Sequence, residues 1–136
     1  MGEKKDVSID IIPFWFFTPL DNDNPQQPIA TISGSGNATI ITDSLPINTN
    51  GIVEYVGIDF LTANGSNDLV FNFLKDGTII STMSKKYLFQ SIPNMIPLKI
   101  GMGTKTKLEV IAYNNNTLTT HRCRMVVTGH YWYLKG

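Results

Sequence analysis

Cysteine, histidine and the strong helix formers are all scarce in this chain. Of 136 residues, one is cysteine, two are histidine, four are alanine and three are glutamate. A single cysteine, Cys123, excludes an intrachain disulfide framework, so stability has to come from a packed core. A domain of this length buries about two-thirds of its unfolded surface, which is enough for one. The shortage of Ala and Glu, against 16 Ile and 14 Thr, weighs against helices and for strands. Charge of either sign is not in excess: 11 Lys and Arg balance 11 Asp and Glu. A nucleic-acid partner is therefore not expected, because its binders carry a basic stripe or surplus. No apolar run approaches the length of a membrane span. The first residues, Met-Gly-Glu-Lys-Lys-Asp, lack the apolar segment of a secretory signal. The expectation is a protein made in a cytoplasm, with no membrane and no cofactor.

What is present is alternation. Residues 122–134 place Cys123, Met125, Val127, Gly129, Tyr131 and Tyr133 on one side, and Arg122, Arg124, Val126, Thr128, His130, Trp132 and Leu134 on the other. Successive side chains of a strand point to opposite faces. This reads as one long closing strand, with Cys123, Met125 and Val127 expected to line the core. Further strands are expected over 29–32, 38–42, 52–61, 69–74, 78–83, 98–100 and 105–113. Lys75-Asp-Gly77 between two of them is a tight hairpin signal. The stretch 87–97, with two prolines, reads as irregular. About eight to ten strands with turn signals between them predict an all-β, jelly-roll-like antiparallel β-sandwich. An immunoglobulin-type sandwich is the second choice, and the Cys…Trp…Cys pattern of such domains is absent. Residues 1–17 read as a charged and aromatic N-terminal arm or edge strand, interrupted at Pro13, and 18–136 as a single sandwich domain.

Chemistry is hard to find. His121 and His130 fall on opposite faces of a regular strand, so they do not form a joint metal site, and no metal is expected. No G-x-S-x-G, phosphate-binding loop or H-E-x-x-H occurs, and a Ser-His-Asp set would need long-range convergence that no local motif signals. Glu54 and Asp59 read as solvated strand positions, and Cys123 as an inert buried thiol. No catalytic residue is expected, nor is an enzyme. Asp21-Asn-Asp-Asn24 clusters oxygen ligands but lacks the glycine and terminal glutamate of a calcium loop, and reads as a polar turn.

The aromatic residues remain, with two readings. Phe14, Trp15, Phe16 and Phe17, joined by Trp132, are candidates for a partner interface, since large aromatics are costly to leave in water and are enriched where proteins meet. Trp15, Tyr113 and Trp132 are alternatively candidates for stacking on sugar rings, as in a carbohydrate-binding or receptor-binding sandwich, with Asp21 and Asp23 as a conceivable calcium loop.

The short charged arm, the aromatic extended segment, the Gly/Asn/Thr-rich body and the closing Met125-Val-Val-Thr-Gly-His-Tyr-Trp-Tyr133 together resemble small virion proteins of tailed bacteriophages, of the capsid decoration (cement) or tail-associated type. The similarity covers mainly residues 105–134. It implies a homo-oligomer, commonly a trimer, attached to capsid or tail proteins, located in the virion after assembly in the host cytoplasm, with no catalytic residues. On this reading the chain is expected to be a decoration protein that stabilises the shell through contacts between subunits. The alternative is the carbohydrate-binding or receptor-binding domain.

Overall fold

The computed structural model describes residues 10–19, 28–83 and 95–135. The charged residues 1–7, the loop with Asp21 and Asp23, and most of the stretch read as irregular lie outside the described residues.

Among the described residues nine strands follow one another: β1 (Ile12–Phe17), β2 (Ala30–Ile32), β3 (Asn37–Ser44), β4 (Thr49–Phe60), β5 (Leu69–Lys75), β6 (Thr78–Met83), β7 (Met95–Met102), β8 (Lys107–Asn114) and β9 (His121–Tyr133). One short helix, α1 (Gly65–Asp68), lies between β4 and β5. Sheet A has the order β1-β9-β4-β7, with β2 pairing β9 beyond the end of β1; sheet B has the order β3-β8-β5-β6. All pairings are antiparallel.

The pairings are nested. Strands β1 and β2 pair with β9, β3 with β8, β4 with β7, and β5 with β6. The chain is thus a long two-stranded ribbon, folded at Asp76–Gly77 and rolled up so that β9 meets β4 and β8 meets β5. That is a jelly roll, with β1 and β2 acting as one interrupted strand. The turn at its fold has positive φ at both Asp76 (50°) and Gly77 (84°), as a two-residue hairpin turn of the primed type requires. Asp76 also accepts the Lys107 N–H at 2.8 Å through Oδ1, tying the turn to β8.

Period-two burial sets the core. On β9, His121, Cys123, Met125, Val127 and Gly129 point inward and Arg122 and Arg124 outward. Phe71, Phe73, Leu108 and Val110 from sheet B face Val53, Val56 and Val127 from sheet A, all fully buried. Phe60 and Phe71 link the sheets, ring centroids 6.1 Å apart.

The structure differs from expectation at one place. Pro97 does not end regular structure but lies within β7, opposite Tyr55. It is tolerated because β7 is an edge strand and needs no donor on its free side. The first strand carries Pro13 at the other edge of sheet A for the same reason. Of the two readings of the first segment, arm or edge strand, residues 12–17 take the edge strand, and Thr18 prolongs the pairing: its N–H donates to the Met125 carbonyl at 3.1 Å, and its Oγ1 accepts the Met125 N–H at 2.9 Å.

Cys123 is buried, and burial pushes its thiol up to about 12. Because the thiolate is the reactive form, the native chain is expected to leave an aromatic disulfide reagent unconsumed, whereas the chain in denaturant reacts stoichiometrically. Rapid labelling of the native chain would contradict this burial.

Candidate functional site

The outer faces of the two sheets differ in kind. On sheet B, β8 turns Lys107, Glu109, Ile111 and Tyr113 outward, between Asn37, Thr39, Thr42 and Ser44 of β3 and Val70, Asn72 and Leu74 of β5. Asn72 bonds Thr82 there at 2.8 Å, and Ile79 and Ile80 of the edge strand β6 are exposed. This face mixes aliphatic and polar side chains.

Sheet A turns aromatic residues outward, and the register arranges them in rows. Phe17, Val126, Gly57 and Met95 form one row; Trp15, Thr128, Tyr55 and Pro97 the next; Pro13, His130, Ile52 and Gly101 the third; Trp132 and Asn50 close the series. Trp15 is 56% exposed, Phe17 59% and Tyr55 46%. A groove of about 420 Å³ crosses the first of these rows, lined by Phe17, Gly57, Met95 and Val126 together with Asp59 and Arg124. Gly57 supplies no side chain at its floor.

An ion pair and a histidine–carboxylate pair are set into this surface. Arg124 donates to Asp59 Oδ2 through Nη2 at 2.9 Å and Nε at 3.0 Å. His130 Nδ1 pairs with Glu54 Oε1. Glu54 reaches that position because it is the extra residue of a β-bulge: Val53 opposes Gly129 and Tyr55 opposes Thr128, so β4 has one residue more than β9 there. The bulge leaves both Glu54 and Tyr55 on the outer side.

The expected interface residues divide accordingly. Phe14 and Phe16 are not available to a partner; they are 7% and 5% exposed, stacked at 4.7 Å in the core of their own domain. The reason is the period of the strand, which turns Trp15 and Phe17 out and their neighbours in. Trp132 is outward and half-buried, in the last row. The proposed sugar-stacking set does not form one platform. Trp15 and Trp132 lie on sheet A, separated by roughly 13 Å along β9, and Tyr113 lies on the outer face of sheet B. Tyr55 was missed by the sequence reading, although alternation back from Asp59 and Gly57 places it on their face; the residue displaced by the bulge is Glu54.

A second constellation was also missed. Thr62, in the β4–β5 connection, Asp68, at the end of α1, and His121, at the start of β9, converge from 59 and 53 residues apart. Thr62 Oγ1 lies 2.7 Å from His121 Nδ1, and His121 Nε2 lies 2.6 Å from Asp68 Oδ2. The Arg122 N–H donates to Thr62 Oγ1 at 3.2 Å, the carboxylate accepts from His121 Nε2–H, and the direction of the Thr62–Nδ1 bond follows the protonation of the ring. Asn116 Nδ2 donates to the same carboxylate oxygen at 3.1 Å. The hydrogen bonds from His121 and then from Asn116 hold the Asp68 carboxyl below its usual range.

This is the order of groups in a hydroxyl–imidazole–carboxylate triad. Its setting is that of a staple. His121 is fully buried, and the groove on sheet A shares no residue with it. The network joins the 61–68 and 115–120 connections to β9, and Asn114 extends it by donating to the Ile32 and Thr119 carbonyls at 3.1 and 2.7 Å. Among the described residues, no three His, Cys, Asp or Glu side chains converge as metal ligands.

No protein-family profile matches this chain, and no curated protein matches it in sequence.

Proposed function

We propose that the chain is a non-enzymatic virion structural protein, a decoration subunit that stabilises a capsid shell through contacts made by the outer face of sheet A. The observation that carries this reading is the display of three large, half-exposed aromatic side chains, Trp15, Phe17 and Tyr55, on one face of the sandwich. Completing the burial of each is worth roughly 1 kcal/mol, about half the value for a fully exposed side chain. A groove beside them, with Arg124 bonded to Asp59 and His130 to Glu54, completes a surface suited to packing on protein. Aromatic residues, Met and Arg are enriched in such contacts, and Lys is depleted.

Several features support a structural rather than a catalytic role. In the hydroxyl–imidazole–carboxylate set the imidazole is fully buried, and the set ties loops together. The resemblance of residues 105–134 to phage virion proteins points the same way. The carbohydrate-binding alternative has to work with Trp15 and Trp132 without Tyr113.

The test is addition of the purified chain to undecorated shells of the phage that encodes it. Binding should raise the temperature at which the shells disrupt. Trp15→Ser/Phe17→Ser should bind about 30-fold more weakly, from about 2 kcal/mol of lost burial, with its own unfolding midpoint little changed. Deleting residues 1–17 is not a clean substitute, since it removes Phe14 and Phe16 from the core. A chain that binds no shell but binds a glycan on an array would replace this reading with the carbohydrate-binding one.

A further inference from the structure

We infer that Asn64, followed by Gly65 in the β4–β5 connection, is a site of spontaneous backbone modification that the His121 network holds shut. The product is aspartate or isoaspartate at residue 64, formed only when the connection opens. This chemistry is independent of which surface meets a partner.

The dipeptide has the groups the reaction needs. Asn64 is exposed, and Gly65 sets no side chain beside its own backbone nitrogen. That nitrogen attacks Cγ of the Asn64 side-chain amide. The N–Cγ bond forms and the Cγ–Nδ2 bond breaks, and the side-chain nitrogen leaves as ammonia, taking the Gly65 amide proton. Water then opens the cyclic imide at either carbonyl. Opening at the backbone carbonyl gives isoaspartate, with an extra carbon in the main chain; opening at the other gives aspartate. Water is the only co-reactant, and nothing is oxidised or reduced.

The folded geometry forbids ring closure. Asn64 has left-handed φ 64° and ψ 8°. At that ψ the Gly65 nitrogen eclipses the Asn64 nitrogen, whereas the imide ring requires it to eclipse Cβ. The tetrahedral Cα places those two positions about a third of a turn apart. Turning ψ that far would swing the Asn64 carbonyl away from the Asn67 and Asp68 N–H groups, which it accepts at 3.0 and 3.2 Å. It would also pull the Gly65 N–H from the Thr62 carbonyl, 3.2 Å away. Gly65 is buried against the imidazole: a β-carbon on it would lie 3.3 Å from Thr62 Oγ1 and 3.5 Å from His121 Nδ1.

The clamp grips both sides of the dipeptide. Thr62 before it and Asp68 after it are each bonded to His121 of β9. The 115–120 connection adds the Asn116 side chain on the Asp68 carboxylate and the Asn115 N–H on the Asp68 carbonyl, at 3.1 and 2.9 Å. An opened and converted segment does not close as before, because isoaspartate lengthens the main chain between two fixed ends. Asn50–Gly51 is the contrasting case. It has the same dipeptide inside β4, where Gly51 pairs with Tyr131 of β9 and Met102 of β7, so it reacts only when the sheet comes apart.

The test incubates the full chain in mildly alkaline buffer, folded and in denaturant, and reads conversion at each asparagine by peptide mass spectrometry. Isoaspartate is marked by its specific carboxyl methylation. In denaturant, Asn64 and Asn50 should convert at similar rates. In the folded chain, Asn64 should be slower by about 100-fold or more, since opening breaks several hydrogen bonds, one of them to a carboxylate. Asn50 should be slower still. Asp68→Asn, shown to be folded by its own unfolding curve, should convert Asn64 about 10-fold faster than the folded wild type, the usual weight of a bond to a charged group. Amide exchange at residues 65–68 should quicken in parallel. Equal rates at Asn64 in the folded and denatured wild-type chain overturn the inference, as does an Asp68→Asn chain in which Asn64 is no faster. Conversion of Asn50 in step with Asn64 in the folded wild type also overturns it, because both sites would then wait on global unfolding. The wild-type comparisons need no variant to fold.

Discussion

Gly129→Ala is expected to destabilise the domain by at least about 3 kcal/mol, enough to leave much of it unfolded at ordinary temperature. A β-carbon at residue 129 would stand 2.0 Å from the Ile52 carbonyl oxygen and 2.8 Å from two ring carbons of Phe14. The ring could turn aside, but the carbonyl belongs to β4, next to the bulge at Glu54, and is held by the ladder. Gly129 pairs with Val53 on one side and Phe14 on the other, so it is where β1, β9 and β4 come closest over the core. Urea unfolding followed by tryptophan fluorescence measures the loss. Adding Phe14→Leu to the variant should not restore stability, because the nearer obstacle is backbone. An unchanged midpoint for Gly129→Ala would mean that the approach of the two strands is looser than described.

His121→Ala is expected to cost about 2–4 kcal/mol, combining a cavity under the start of β9 with the loss of the bonds to Thr62 and Asp68. The same network gives a pH dependence whose sign follows from Asp68. Its carboxyl is held below the ordinary value by His121 and then Asn116, so the unfolded chain takes up a proton at a higher pH than the folded one. The stabilisation is fully present above about pH 4, the ordinary aspartate range, and is lost as pH falls through the depressed folded value. Compared with Asp68→Asn, the wild-type chain should lose more stability between about pH 5 and pH 2. Parallel curves for the two proteins over that interval would remove Asp68 from the network's energetics.

Much of the architecture could be read from period and turns. The alternation through residues 122–134 identified β9 and its inward set Cys123, Met125 and Val127, and Asp76–Gly77 identified the hairpin at the fold of the ribbon. The same alternation, applied to Phe14-Trp15-Phe16-Phe17, would have separated core from surface; treating the four as a block overlooked it. Other features are not local. Glu54 stands on the same face as its neighbour Tyr55 because of a bulge, and a bulge leaves little trace in a single sequence. Thr62, Asp68 and His121 meet only because the rolled ribbon brings the start of β9 under the β4–β5 connection. Pro97 argued against a strand until the topology made it an edge. The division of Trp15 and Trp132 from Tyr113 likewise depends on which sheet each strand joins.

The place of β9 inside sheet A also governs the order of events during folding. Its partners β1, β2 and β4 precede it by some sixty to more than a hundred residues, so the contacts it closes are the most distant in the chain. Such topologies fold in milliseconds to seconds rather than microseconds. Sheet B and the β5–β6 hairpin can form without β9, but until it inserts, Phe14, Phe16, Val53 and Val56 lack the surface they pack on. The vulnerable species is therefore a half-closed roll with an open slot, prone to accept a strand from another molecule. Swift insertion of this strand, more than the final stability of the sandwich, would decide how much of the protein reaches its native form.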